Sequence, residues 1–155
     1  SEALEGKLRH FGLRSIAWRY FLGILPETDD LEKWRPVVEK YRKIFRKKYE
    51  RYHNVSEEIK NADPNVANPL SMNVSNPWNS FFEDSELKDK IRLDVDRTHQ
   101  EKDFFQLLEI KNQMVNILFI WSKEHEDISY RQGMNELLAT ILYVFYSERF
   151  KLDLS

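Results

Sequence analysis

The stretch from Lys33 to Arg51, KWRPVVEKYRKIFRKKYER, places Val37, Tyr41, Ile44, Phe45 and Tyr49 at spacings of about three and four, and Tyr52 continues the series. That period describes an α-helix with one apolar face. Nine Lys/Arg against two acids, Glu39 and Glu50, give the stretch a local charge of +7 and put the basic side chains on the outer side. The rest of the 155-residue chain carries 15 basic and 24 acidic residues, so the net charge is only −2. Such a stripe can face nucleic acid, anionic lipid or an acidic protein, but a solvated helix face is the simpler reading, and no nucleic-acid partner is expected. Asp29 and Glu32 have capping-box spacing ahead of the stripe, yet Pro36 is too deep for a first-turn proline on that cap. Either the chain kinks near Arg35 or the helix begins at Pro36, and it ends at about His53 or runs on to Lys60.

The same period extends in both directions. Leu13, Ile16, Ala17, Tyr20 and Phe21 form a first helical stripe, which Gly23 is placed to end, with Pro26 beyond. Trp78, Phe81 and Phe82 anchor the chain ahead of a helix capped by Asp84 or Ser85 and carrying Leu87 and Ile91. A helix is predicted from about Asp103 to Lys123, with Phe104, Leu107, Leu108, Met114, Val115, Leu118 and Trp121 inward. After a short polar connection at Glu124–Asp127, the last stripe is Tyr130, Met134, Leu137, Leu138, Ile141, Leu142 and Phe145. Four Gly and five Pro are few for a protein of this length, which argues against an all-β fold. Asn61–Pro77 is the exception: five Asn, three Pro and two Ser make it one long loop that either binds a partner or is disordered. The expectation is an all-α chain of about six helices with that loop, forming one domain or a piece of one over residues 1–155.

Several chemistries are excluded or disfavoured. Without cysteine there is no disulfide, thiol nucleophile or thiolate metal site. The longest nearly apolar run, Leu137–Tyr146, falls short of the ~20 residues needed to cross a bilayer, so no transmembrane segment is expected. The four glycines are scattered and form no phosphate-binding loop, and His10, His53, His99 and His125 include no pair at metal-ligand spacing. No cofactor or metal of the chain's own is expected. A start without Met and an end just after a helical run suggest an excised fragment.

Two short segments stand apart. In Ile91-Arg92-Leu93-Asp94-Val95-Asp96-Arg97, helical geometry puts Ile91, Asp94 and Arg97 on one face: an apolar anchor, a carboxylate and a guanidinium on successive turns. Taken alone, Asp94 and Arg97 read as an ordinary surface ion pair. In Ser129-Tyr130-Arg131-Gln132-Gly133-Met134-Asn135-Glu136, Ser129 and Gln132 match a Ser-x-x-Gln capping box, which by itself makes Gln132 a helix-start residue.

Together these segments resemble the two signatures of the TBC domain, the Rab GTPase-activating module. Ile-x-x-Asp-x-x-Arg is met at Ile91, Asp94 and Arg97, and Tyr-x-Gln at Tyr130 and Gln132, with Gly133 continuing the second. Leu13-Arg14-Ser15-Ile16-Ala17-Trp18-Arg19 is similar to the family's first helix. Asn68-Pro69-Leu70-Ser71, followed by Trp78-Asn79 and Phe81-Phe82, resembles the member-five branch. The chain departs from the family's usual Thr-Phe-Pro after the arginine, having Thr98-His99-Gln100 instead.

The resemblance implies the N-terminal part of a TBC domain whose C-terminal part is missing, and therefore a fragment of poor activity by itself. It implies catalytic roles for Arg97, as an arginine finger, and Gln132, which orients the attacking water. Ile91, Asp94, Tyr130 and Gly133 support them: Asp94 by holding the guanidinium, Tyr130 by fixing the start of the last helix. GTP and Mg²⁺ would be carried by the partner, a late-endosomal Rab GTPase. In the member-five branch the loop residues Asn68, Pro69, Leu70 and Ser71 would dock on the small metallophosphoesterase-like subunit of retromer, and the protein would be cytoplasmic and peripheral at endosomal membranes. The alternative is a non-catalytic helical adaptor that binds retromer or another partner through that loop.

Overall fold

The computed structural model describes residues 14–26, 30–60 and 77–152. Among these it forms six helices and no strand: α1 Arg14–Phe21, α2 Trp34–Lys60, α3 Pro77–Arg97, α4 Asp103–Gln106, α5 Leu108–Glu124 and α6 Met134–Leu152, with a 3-10 turn at Leu31–Lys33. The expected all-α fold is what the chain adopts. No described helix is long and apolar enough to cross a membrane. Leu13, Asp29 and the loop residues 61–76, including Asn68, Pro69, Leu70 and Ser71, lie outside the described residues.

The chain divides into two compact units, residues 1–45 with 138–155 and residues 46–137. In the first, α1 ends where the sequence places its stop. Gly23 takes a positive φ of 68°, its N–H bonds to the Tyr20 carbonyl, and the Ile24 N–H reaches back to the Arg19 carbonyl. This is the paired closure of a left-handed helix cap, which a residue without Cβ forms without strain. Asp30 then starts the next helical region. Its carboxylate accepts the Glu32 N–H at 3.1 Å and its carbonyl accepts the Lys33 N–H at 3.2 Å. Because α2 begins at Trp34, Pro36 is its third residue, inside the first turn whose N–H groups have no intrahelical acceptor. Neither a kink near Arg35 nor a later start is needed, and the helix runs on to Lys60.

The second unit holds the main core. Ile91 and Val95 of α3, Phe105 of α4, and Ile110, Met114, Val115, Leu118, Phe119 and Ile120 of α5 are all buried. Tyr52 of α2 sets its ring edge against Phe119 and donates its hydroxyl to Glu124, whose other oxygen takes Lys48 at 2.6 Å. Two boundaries differ from the sequence expectation. The helix of Leu87 and Ile91 starts at Pro77, so Asp84 is no cap but an interior residue paired with Lys123 at 2.9 Å. The predicted helix over 103–123 is two helices, broken at Leu107, which adopts an extended φ −63°, ψ 124°. The break resets the helical phase: Phe105 turns into the core while Leu107 and Leu108 are exposed, Leu108 at 68%. Similarly, Leu137 is 70% exposed, and Ala139 is the fully buried residue in that part of α6.

Candidate functional site

Within the second unit, α3 carries the site's acidic and basic groups from core to surface. Ile91 is fully buried, Asp94 has a side chain 11% exposed, and Arg97, at the last position of the helix, has a side chain 69% exposed. This is the i, i+3, i+6 face read in the sequence. The guanidinium is held along one edge: Nη2 donates to Asp94 Oδ1 at 2.7 Å, and Nε donates to the Leu93 carbonyl at 3.1 Å. The side chain is otherwise largely exposed, so a permanently charged group tied along one edge faces solvent.

The other carboxylate oxygen of Asp94 reaches a distant segment. Oδ2 accepts the hydroxyl of buried Tyr130 at 2.8 Å, across 36 residues of chain. Burial first, and then the bond to Asp94 and its charge, push the Tyr130 hydroxyl far above the ordinary phenol pKa. The phenol therefore stays a donor. Asn135, also buried, completes the joint. Its Nδ2 donates to Thr98 Oγ1 at 2.8 Å and lies 3.4 Å from the Asp94 carbonyl, while its Oδ1 accepts the Gly133 N–H at 3.1 Å. Thr98 in turn donates its hydroxyl to the Asp94 carbonyl at 2.8 Å. Every buried polar group of this cluster is paired, which fixes the end of α3 against the start of α6.

Gln132 is not the capping residue that its spacing suggests. Ser129 has a positive φ of 54° and lies outside α6, which starts at Met134. The Leu137 N–H bonds to the Gly133 carbonyl, so the half-helical residue at the boundary is Gly133, at φ 98°. Gln132 thus stands just ahead of the helix, exposed, with no amide partner among the described residues. The Tyr130–Asp94 bond brings the segments of Arg97 and Gln132 to one joint. Thr98 and Asn135 were missed as site residues by sequence reasoning; the signal for Asn135 was an amide heading an otherwise apolar helical stripe. One further pair bridges the same elements: His99 Nε2 lies 3.2 Å from Glu136 Oε2.

The chain matches the model of the Rab-GTPase-TBC domain over residues 12–152. It is 41% identical to TBC1 domain family member 5 homolog B of Dictyostelium discoideum, over 97% of this chain and 15% of that protein. It is 35% identical to TBC1 domain family member 5 of Homo sapiens, over 95% of this chain and 18% of that protein. The chain therefore spans less than a fifth of the length of these relatives. No solved structure matches it.

Proposed function

The chain belongs to the Rab-GTPase-TBC domain family, and from that premise we propose that it accelerates GTP hydrolysis in a bound Rab GTPase, supplying Arg97 and Gln132 in trans. The observation that carries the reading is the guanidinium of Arg97: tethered along one edge by Asp94 and the Leu93 carbonyl, with its side chain 69% exposed. A preorganised, permanently charged fork is what stabilises negative charge developing on a transferring phosphoryl group. Arginine fingers contribute about 10³–10⁵ in rate, roughly 4–7 kcal/mol of barrier. Gln132 is too weak a base to take a proton, so its part is to orient the attacking water. GTP and Mg²⁺ arrive with the Rab.

The test is a single-turnover hydrolysis assay of the intact protein over a panel of Rabs. Acceleration of at least one Rab is expected, and Arg97→Lys, lacking the bidentate fork, should lose nearly all of it with helix content unchanged. Acceleration that survives Arg97→Lys removes the finger assignment; binding without any acceleration favours the adaptor.

The resemblance of Asn68-Pro69-Leu70-Ser71 and the Trp78–Phe82 segment to the member-five branch supports a finer reading: a late-endosomal Rab as substrate partner, a cytoplasmic site of action at endosomal membranes, and docking on the small metallophosphoesterase-like subunit of retromer. Pro69 restricts the backbone beside Leu70 and so lowers the entropy lost on docking. Titration calorimetry decides it, since Leu70→Asp should abolish binding to that subunit, and unchanged affinity refutes the assignment.

A further inference from the structure

We propose that His99 is a positioning residue, coupling the turn behind Arg97 to the first turn of α6 behind Gln132 through a ring set between the carboxylates of Glu101 and Glu136. The proposal rests on the GTPase-activating reading of the site.

His99 follows the last residue of α3 by two and adopts a left-handed φ of 42°. Its ring lies against that of buried Phe105 with centroids 5.2 Å apart. Nδ1 is 3.4 Å from Glu101 Oε1 and Nε2 is 3.2 Å from Glu136 Oε2. Each ring nitrogen thus lies within ion-pair distance of a carboxylate, one from the turn and one from α6. Among the described residues, the charged groups facing the ring are Glu101 from the turn and Glu136 from α6, while α4 offers the face of Phe105. Glu101 is itself held below the usual carboxylate range, first by its own backbone N–H and then by His99 and Lys102.

The Asp94, Thr98, Tyr130 and Asn135 bonds close the buried side of the junction between α3 and α6. The His99–Glu136 pair lies further out, with side chains 30% and 51% exposed, and closes the outer side. Arg97 is two residues before His99, and Gln132 is four residues before Glu136. Two groups acting on one reacting centre must hold their separation, and a misplacement of about 1 Å costs on the order of 10² in rate.

The experiment compares intact wild-type protein, His99→Asn, Glu136→Gln and the double variant. Asparagine tolerates the left-handed backbone, so His99→Asn removes the ring without straining the turn. With the most responsive Rab, each single variant should lower the maximal single-turnover rate about tenfold near pH 6.5, with half-saturation changed less than about twofold. The double variant should be no worse than either single one. An unchanged maximal rate in His99→Asn, a loss confined to half-saturation, or additive losses overturns the proposal. If the wild type accelerates no Rab, the GTPase-activating reading fails, and the link is judged by urea unfolding of the same four proteins. A stability coupling between His99→Asn and Glu136→Gln supports the link, and additive losses overturn it.

Discussion

Tyr130→Phe and Arg97→Ala touch the same carboxylate from opposite sides, and the structure assigns them opposite consequences. Tyr130 is buried, and its hydroxyl bonds Asp94 Oδ2 at 2.8 Å inside the junction. Removing it leaves one oxygen of a largely buried carboxylate without a partner, a loss of about 1.5–3 kcal/mol for a hydrogen bond to a charged group. For a domain of this size that lowers Tm by roughly 3–12 °C. Arg97 pairs with the other oxygen at 2.7 Å, but its side chain is 69% exposed. Its truncation should therefore remove at most about 1 kcal/mol, as for a solvated ion pair. Catalysis should order the two the other way, with the arginine variant losing about 10³-fold or more. Urea unfolding and single-turnover hydrolysis on the same preparations give both readings. An alkaline arm isolates the hydroxyl. Its pKa is raised by burial and then by Asp94, so the folded chain keeps a proton that the unfolded chain releases near pH 10. That contribution is complete below about pH 10 and is lost as pH rises from there toward the folded value. The stability gap between wild type and Tyr130→Phe should narrow over that range. The reasoning is refuted if Arg97→Ala destabilises the chain more than Tyr130→Phe does, since the arginine would then be structural.

Gln132→Ala should change stability by no more than about 0.5 kcal/mol, because the side chain is exposed and caps nothing. It should nonetheless abolish stimulation of a Rab whose own switch glutamine has been replaced; a stimulation that depends on the Rab glutamine contradicts the role. Gly133→Ala meets no atom within 4 Å, so its destabilisation is backbone strain at φ 98°, about 1–3 kcal/mol by denaturant unfolding, and a neutral substitution refutes the strain argument. The Glu124 carboxyl is held below the usual range by Lys48 first and Tyr52 second. Its contribution is therefore present above the unfolded value near pH 4.3 and is lost as pH falls through the folded one. Glu124→Gln should flatten that part of the acid unfolding curve, and an unchanged curve counts against the clamp.

Helix content, the stop at Gly23, and the alignment of Ile91, Asp94 and Arg97 were legible in the sequence because each depends on residues within one or two turns of one another. A period of 3.6 and a glycine after an apolar stripe carry their meaning locally. The break at Leu107 was not legible, since no Gly or Pro marks it; the burial of Phe105 and the apolar face of α5 require the helical phase to reset there. The capping spacing of Ser129 and Gln132 was overridden for a similar reason. Asn135, tied to Thr98 across 37 residues, and Tyr130, tied to Asp94 across 36, set where α6 begins and leave Gln132 outside it. The sequence by itself offered the side chains proposed to carry the chemistry only through the resemblance of two short motifs, since spacing alone read them as an ion pair and a helix cap. Only the tertiary structure decided that their two segments meet, because buried polar atoms must find partners, and here the partners of α3 lie on a segment far along the chain.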